Sequence, residues 1–187
     1  MKLLKRVKPL LFIFFLSLSS MFNFNSHAIE VSNFKYADCS NVKYGHNDKK
    51  LKHIEYIVIH STSNTNVSAI NHIKWLNSNE RANATHYYVD DKEVIKALSL
   101  GSQAQGVLNN KNNILNNNSI HIEICEFSDP IKQELAIRNA IEYIKNNLLP
   151  NLNENVKIVR HKDATNKNCP RIISDDKWKD FLIQIYD

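Results

Sequence analysis

The chain contains 187 residues, of which 43% are hydrophobic and 23% are charged, and its formal net charge is +5 at pH 7. This length suits one domain with one hydrophobic core. Four prolines and three glycines mark no linker, and no segment is repeated. Beyond the amino terminus the Lys and Arg residues form no cluster, which argues against a nucleic-acid-binding face.

The first 28 residues have the pattern of a secretory signal peptide. Four cationic side chains within Lys2–Lys8 precede an unbroken apolar run, Leu10–Leu16, and Ser26-His27-Ala28 is a small-x-small cleavage sequence. The apolar run is too short to span a bilayer, so no stable membrane insertion is expected after cleavage. The leader holds four of the 24 Lys and Arg residues and none of the 19 acidic ones, which leaves a mature charge of about +1. The pattern predicts export to the periplasm, the cell envelope or the medium.

The spacing of apolar residues predicts the secondary structure of residues 29–187. An irregular lead-in is expected over Ile29–His53, and a surface loop over the Asn-rich stretch Asn109–Asn118. The remaining predicted elements are, in chain order, a strand at Ile54–Ser61, a helix at about Asn66–Asn77, a hairpin of Ala84–Asp90 and Glu93–Leu98, a strand at Ser119–Cys125, a helix at Pro130–Leu149, a strand at Val156–Arg160 and a last helix capped by Ser174.

This order of elements indicates a fold class. Strands interleaved with helices are typical of a single α/β domain, with a central mixed β-sheet flanked by helices and a hairpin that provides the antiparallel part. The long helix Pro130–Leu149 has an apolar stripe that includes Ile131, Ile137 and Ile141. Ligands of such sheets commonly bind at the strand ends, which is where a functional site is expected.

Two strand-like runs each deliver a histidine at their carboxyl end. His60 ends the first run, and His161 follows the run Val156–Arg160. Cys169 lies eight residues beyond His161 on a polar loop, and imidazole and thiolate groups are good ligands for Zn²⁺. Taken alone, each residue also has an ordinary explanation, because a lone histidine is often hydrogen-bonded and a lone cysteine is often buried filler.

Four sequence blocks in order resemble one known family, the zinc-dependent type 2 N-acetylmuramoyl-L-alanine amidases. These blocks are Ile57–Thr62, Thr85–Asp91, Asn118–Glu123 and Arg160–Pro170. The family includes phage endolysins, bacterial autolysins and recycling amidases, and the animal peptidoglycan recognition proteins. The resemblance extends from about His53 to the carboxyl terminus, and four ordered blocks are far more specific than any single motif.

The resemblance implies that His60, His161 and Cys169 bind Zn²⁺ and leave one position for water. Three protein ligands and an open position are typical of a catalytic zinc site. The zinc would activate that water and polarise the amide carbonyl. The implied reaction is hydrolysis of the amide bond between N-acetylmuramic acid and L-alanine in peptidoglycan or muropeptides.

The resemblance also implies catalytic roles for Glu123 and Lys167. Glu123 corresponds to a glutamate that some branches of the family use as the general base, although strand alternation alone fits a partly exposed carboxylate equally well. Lys167, two residues before Cys169, corresponds to a lysine that would stabilise the oxyanion. Without the resemblance, Lys167 would be interpreted as a solvated loop lysine.

This chain departs from the family pattern at two positions that we assign to substrate binding. Thr85 stands where other branches carry a catalytic tyrosine, which increases the expected dependence on Glu123. His121 stands where the family usually has glycine, on the same strand face as Glu123. His121 could contact substrate, modify the properties of Glu123 or fill part of the cleft. His86 is expected to be a packed, hydrogen-bonded residue, and Asp163 either supports the metal site or caps a turn.

Several alternatives stay open at this point. Cys39 and Cys125 could form a disulfide in an oxidising compartment or remain two free thiols. The protein could be an exported amidase or a recognition module that binds muropeptides without cleaving them, and retention of Cys169 favours the enzyme. Its expected partner is a peptidoglycan or muropeptide substrate rather than nucleic acid, and it is expected to be a monomer.

Overall fold

A computed structural model of the protein describes residues 34–45, 49–51, 53–80, 82–107 and 114–187. The predicted signal peptide, residues 1–28, lies outside the described residues. The strands are β1 (Lys35–Asp38), β2 (Tyr56–Thr65), β3 (Tyr87–Val89), β4 (Glu93–Lys96), β5 (Ser119–Glu126) and β6 (Lys157–Arg160). The α-helices are α1 (Ala69–Ser78), α2 (Ile114–Asn117), α3 (Pro130–Tyr143), α4 (His161–Ala164) and α5 (Asp175–Tyr186).

The six strands form one mixed sheet in the order β1-β4-β3-β5-β2-β6. The hairpin β3–β4 is antiparallel, while β5 pairs in parallel with β3 and β2, and β2 pairs in parallel with β6. Residues Ser32–Asp187 belong to one compact unit. The structure thus confirms the predicted α/β domain with a mixed sheet and an antiparallel hairpin.

Helices cover both faces of this sheet. On one face, Ile57 and Ile59 of β2 and the isoleucines of β5 pack with buried residues of α3 and α5, such as Ala140 and Phe181. On the other face, Leu76 of α1 belongs to a second apolar cluster. The parallel strands β2 and β5 are therefore buried on both sides, as expected for a sheet between helical layers. None of the helices in the described part of the chain is long and apolar enough to cross a membrane.

Side-chain caps determine where several elements begin. The Ser174 hydroxyl accepts a hydrogen bond from Lys177 N, which confirms the predicted cap of α5. Asp129 caps α3 in the same manner, with Pro130 in the first turn. In the hairpin, the buried Asp90 carboxylate accepts the backbone N–H groups of Lys92 and Glu93 and also that of Ala69 at the start of α1.

The structure corrects two predictions near the chain's irregular segments. The lead-in is not wholly irregular, because β1 lies within it and pairs in parallel with β4. Four residues are too short for an apolar pattern to be recognised, and three of them are exposed. Within the predicted Asn-rich loop, Ile114–Asn117 forms the short helix α2. Residues 109–113 of that stretch lie outside the described part of the chain.

The long helix also differs from its prediction. Regular α-helix ends at Tyr143 and continues as a π-helical turn, Ile144–Leu148, followed by a 3₁₀ turn, Leu149–Asn151. Pro150 lacks the N–H group that an α-helix needs, which prevents regular helix from continuing past Leu149, whereas the change to π-helical hydrogen bonds already begins at Ile144. Ile131 was predicted to face the core but is 70% exposed, because the part of α3 that packs on the sheet begins at Ala136.

Candidate metal centre and active site

Strand register places three site residues side by side across the sheet. His60 of β2 lies opposite Glu123 of β5, and Ile59 lies opposite Arg160 of β6, so His161 follows directly beside His60. Neighbouring residues in register share a face of the sheet. The carboxyl ends of three parallel strands thus bring together two histidines and a glutamate from distant parts of the chain.

Three potential metal ligands converge at this edge of the sheet. His60 Nδ1 lies 3.1 Å from His161 Nδ1 and 3.9 Å from Cys169 Sγ. The three ligand atoms all lie within 4.8 Å of one another, and all three residues are buried. The predicted ligand set is therefore assembled in space.

Two of the three separations between the ligand atoms are close to those around a tetrahedral zinc ion. With Zn–N bonds of about 2.0–2.1 Å and a Zn–S bond of about 2.3 Å, tetrahedral angles separate two nitrogens by about 3.3 Å and a nitrogen from the sulfur by about 3.6 Å. The separations of 3.1 and 3.9 Å lie close to both values, whereas the three ligand atoms as a group extend over up to 4.8 Å. Two imidazoles and one thiolate are also a donor set that suits zinc chemically.

The loop that carries Cys169 is tied back to β2, β5 and α4. Lys162 N donates to Cys169 O at 2.8 Å, and Ser61 N donates to Cys169 Sγ at 3.4 Å. Two residues further on, Arg171 N donates to Ser61 Oγ, and the Arg171 guanidinium pairs with the buried Glu126 carboxylate. Although burial alone would raise the pKa of Glu126, its contacts with Arg171, Ser61 and Ser63 lower it below the ordinary value. These contacts position the thiol beside His60.

Burial shifts the pKa values of the ligand group. The pKa of His60 is well below its ordinary value, first because of desolvation and then because of His121, His161 and Lys167. Desolvation, together with Lys167, lowers the pKa of His161 to about 4. Both imidazoles are therefore neutral at pH 7 and offer lone pairs. Burial also raises the pKa of the Cys169 thiol to about 11, so a bound cation is needed to hold it as thiolate.

A cavity of about 520 Å³ opens beside the ligand group. Its lining includes His161, both predicted catalytic residues, Glu123 and Lys167, and the predicted substrate-binding residue Thr85. The other lining residues are Asn83, Gln105, Gly106, Thr165 and Asn166. A polar pocket that contains a carboxylate, a cation and a ligand histidine can bind an amide and move a proton within it.

Glu123 is partly buried in the wall of the cavity, and its carboxylate lacks a full set of hydrogen bonds. Its Oε2 atom has no hydrogen-bond partner among the described residues. Desolvation raises its pKa to about 7, although the charge of Lys167 opposes the shift. A carboxyl group with this pKa can accept and return a proton near neutral pH. The partly exposed strand carboxylate that alternation allowed therefore also has a raised pKa.

His121 and His86 lie behind the cavity. His121 is fully buried, and its Nδ1 atom lies 2.9 Å from His60 Nε2. It is on the strand face shared with Glu123, as predicted, but it is absent from the cavity lining, which stands against a direct substrate contact. His86 Nε2 donates to Ser102 O, and its Nδ1 accepts the His121 N–H, so His86 is the packed, hydrogen-bonded residue that was expected.

Asp163 acts at the start of α4 rather than on a ligand. Its carboxylate accepts hydrogen bonds from Arg160 N and from the Arg160 guanidinium, which form the cap of α4 directly before His161. Of the two explanations offered for Asp163, the structure supports the cap. The three cysteines are all free thiols, so the alternative of a bond between Cys39 and Cys125 is not realised.

A family profile described as N-acetylmuramoyl-L-alanine amidase matches residues 50–172. This range contains the three ligand residues, Glu123 and Lys167. The chain belongs to the N-acetylmuramoyl-L-alanine amidase family. Zinc dependence is typical of this hydrolase family.

Named relatives and solved structures agree with this assignment. The N-acetylmuramoyl-L-alanine amidases CwlA and XlyB of Bacillus subtilis are 34% and 36% identical to the chain over 142 residues, which is 74% of this chain. The chain spans about half the length of these relatives, 52% of CwlA and 44% of XlyB. The catalytic domain of XlyA superposes with a TM-score of 0.66 at 28% identity, covering 81% of this chain and 99% of that domain. The amidase fold therefore accounts for most of the chain.

Few sequence features predicted the residues that support the three candidate ligands. Ser61 and Arg171 tether the Cys169 loop, and Gly106 lies against His121, but none of them belongs to a pattern that predicts such a role. Gly106 alone carried a usable signal, because it is one of only three glycines in the chain. The role of Gly106 depends on its contact with His121, which belongs to a different segment of the chain.

The raised pKa of Glu123 predicts a pH-dependent gain in stability for Glu123→Gln in the metal-free protein. Below about pH 4.5 the carboxyl is protonated in both folded and unfolded chains, so it adds no pH dependence. As the pH rises, the unfolded chain ionises first, and stability falls until the pH passes the folded pKa of about 7. That pKa, against an ordinary value of 4.5, corresponds to about 3 kcal/mol, which glutamine does not incur.

Urea unfolding at pH 4 and pH 8.5 measures this effect. We expect the stability of Glu123→Gln relative to the parent to rise by about 2–3 kcal/mol between these pH values. The same substitution at the exposed Glu154 serves as the control and should change stability by less than about 0.5 kcal/mol at either pH. If the stabilities of Glu123→Gln and Glu154→Gln depended equally on pH, the pKa of Glu123 would not be raised in the folded protein.

Proposed function

We propose that the protein is an exported zinc-dependent amidase that hydrolyses the amide bond between N-acetylmuramic acid and L-alanine in peptidoglycan or muropeptides. The observation that carries this proposal is the convergence of His60, His161 and Cys169 beside a cavity that also contains Glu123 and Lys167. Membership of the amidase family and the names of the relatives support the choice of reaction.

In this proposal the metal ligands are His60 Nδ1, His161 Nδ1 and Cys169 Sγ. Three protein ligands leave a coordination position for water or substrate, which distinguishes a catalytic site from a structural one. Bound Zn²⁺ would lower the pKa of a coordinated water and polarise the scissile carbonyl. Because both imidazoles are already neutral, only the thiol has to lose a proton when the site fills.

Glu123 is the proposed general base. Its carboxylate would accept the proton of the attacking water and then return it to the leaving amine of L-alanine. In the metal-free chain, burial raises the pKa of Glu123 to about 7, so its carboxylate holds a proton more readily than an exposed glutamate does. With threonine at position 85, the tyrosine used in other branches has no counterpart there.

Lys167 is the proposed partner for the negative charge that develops on the carbonyl oxygen. It lines the same cavity as Glu123 and His161, and its charge already influences the pKa values of both groups. Lys167 is exposed in the structure, and a cation beside the carbonyl oxygen stabilises the negative charge that develops there. Thr85 would contribute a small polar surface for the substrate at the cavity wall.

Zinc dependence and bond specificity are tested together on isolated peptidoglycan. The purified protein should release peptides with a new amino-terminal L-alanine, because cleavage frees that amine from the muramic acid. Treatment with a chelator should abolish release, and stoichiometric Zn²⁺ should restore it. Cys169→Ser should retain the fold but lose zinc during dialysis that the parent withstands, because a ligand is removed.

Two outcomes of this assay would contradict the proposal. Peptidoglycan binding without release of peptides would indicate a recognition module instead of an enzyme. Release that persists in the zinc-free protein would separate the activity from the metal centre.

Replacement of the base should separate turnover from metal binding. Glu123→Gln should lower kcat by about a hundredfold or more, because the water loses its proton acceptor. Its zinc content should equal that of the parent, since Glu123 is not among the ligands. Glu154→Gln is the matched surface control and should retain parental turnover. Near-parental kcat in Glu123→Gln would exclude this residue from the mechanism.

The export part of the proposal rests on the sequence pattern of residues 1–28. Expression of the full chain in a bacterial host should yield an exported form whose amino-terminal residue is Ile29, because signal peptidase cuts after a small-x-small sequence. Amino-terminal sequencing of the exported and cell-associated fractions measures this directly. An intact amino terminus in every fraction would contradict the assignment.

A further inference from the structure

His121 is a fully buried polar residue in which every side-chain nitrogen has a defined partner. Its Nε2 atom lies 3.1 Å from Leu115 O, and its Nδ1 atom lies 2.9 Å from His60 Nε2. Its backbone N–H is also engaged, because it donates to His86 Nδ1 at 3.0 Å. A buried histidine with these contacts belongs to a hydrogen-bond network and does more than fill space in the core.

The partners determine where the ring protons lie. Leu115 O is a carbonyl oxygen and only accepts, so His121 Nε2 carries the proton and donates it. None of the three partners is a carboxylate, and a fully buried imidazole without one is neutral, which leaves His121 Nδ1 as an acceptor. The hydrogen bond between the rings must then run from His60 Nε2–H to His121 Nδ1.

This direction leaves His60 Nδ1 without a proton. Nδ1 is the atom that lies 3.1 Å from His161 Nδ1 and 3.9 Å from Cys169 Sγ. Hydrogen bonding at the far nitrogen of a ligand histidine selects the tautomer and orients the ring. The contact with His121 therefore presents the His60 lone pair to the proposed metal position.

Gly106 makes room for the ring of His121. A Cβ atom at position 106 would lie 2.9 Å from His121 Cγ and 3.0 Å from Cε1, and closer still to Nδ1. Any side chain would thus displace the ring atom that accepts from His60. The His86 ring lies parallel to that of His121, with an interplanar angle of 10° and centroids 6.1 Å apart. Gly106 and His86 are thus both neighbours of the His121 ring.

We propose that His121 is a positioning residue that holds His60 in its Nε2–H tautomer, with Nδ1 directed at the metal. Glycine is needed at position 106 because a side chain there would collide with the His121 ring. The inference rests on the proposed function, since it requires His60 to be a ligand. It assigns His121 to the metal centre instead of to substrate binding. His121 touches neither the metal position nor the substrate cavity and acts through His60.

Zinc affinity of four purified full-length proteins tests the role of His121. His121→Phe keeps a ring of similar shape and loses both side-chain hydrogen bonds, whereas His121→Asn can place an amide oxygen near the former Nδ1 position. His72→Phe is the matched control, because His72 is also buried, stacks on Tyr88 and has no partner for its Nε2 among the described residues. The zinc dissociation constant is measured by competition with a chromophoric chelator.

We expect His121→Phe to weaken zinc binding by about 10- to 100-fold, the range typical of partners that orient a ligand histidine. His121→Asn should recover most of that loss, and His72→Phe should bind zinc like the parent. Equal affinities of His121→Phe and His72→Phe would overturn the inference and leave the proposed function intact. A parent protein that binds no zinc would overturn both.

A second measurement needs no variant and applies even if His121→Phe fails to fold. Long-range ¹H–¹⁵N correlation spectra of the zinc-loaded parent report which ring nitrogen of each histidine carries a proton. We expect protonated Nε2 on both His60 and His121, with a metal-bound Nδ1 on His60. A proton on His121 Nδ1, or zinc on His60 Nε2, would contradict the proposed chain of hydrogen bonds.

Discussion

Parallel pairing of β6, β2 and β5 is the constraint on which the site depends. Because β2 lies between the other two strands, His60 has Glu123 on one side and the chain entering His161 on the other. A slip of one residue in either pairing would turn a functional side chain to the opposite face, into the layer of α3 and α5. The apolar residues Ile57 and Ile59, which alternate with His60 and pack in that layer, oppose such a slip. The register of β2 with β5 and β6 thus determines both how the core packs and where the site residues lie.

The third ligand reaches the sheet by a different route. Cys169 lies on a loop after α4, so strand pairing does not position it. Its place depends on hydrogen bonds from Lys162 and Ser61 and on the pairing of Arg171 with the buried Glu126. These contacts compensate for the conformational entropy lost when a polar loop is ordered. The candidate metal centre therefore combines His60 of β2, His161 at the start of α4 directly after β6, and Cys169 on a tethered loop.

Burial shifts the pKa values of the site residues, and it also destabilises the ionised forms of those residues in the metal-free protein. Histidines without carboxylate partners remain neutral when they are removed from water, which makes them ready ligands, while a buried carboxyl without a full set of hydrogen bonds becomes a stronger base. The same desolvation penalises the ionised forms of Glu123 and Cys169 in the metal-free protein. A divalent cation would relieve both penalties, so metal binding and stability are expected to be coupled. Neutral side chains such as Asn83 and Gln105 complete the cavity and suit a substrate rich in amide and hydroxyl groups.

The sequence by itself determined the fold class, most strand and helix positions, the cap at Ser174 and the likeness to the amidase family, because each depends on residues close together in the chain or on ordered blocks. It also named His60, His161 and Cys169, which the structure brings within 4.8 Å of one another. Strand β1 was missed because its pairing with β4 leaves no local apolar pattern, and apolar periodicity does not distinguish the π-helical turn Ile144–Leu148 from regular α-helix. Only the tertiary structure shows the neighbours of His121, since His60, His86, Gly106 and Leu115 come from four different segments. Hydrogen-bond direction and burial are properties of such assembled neighbours, and no local pattern encodes them.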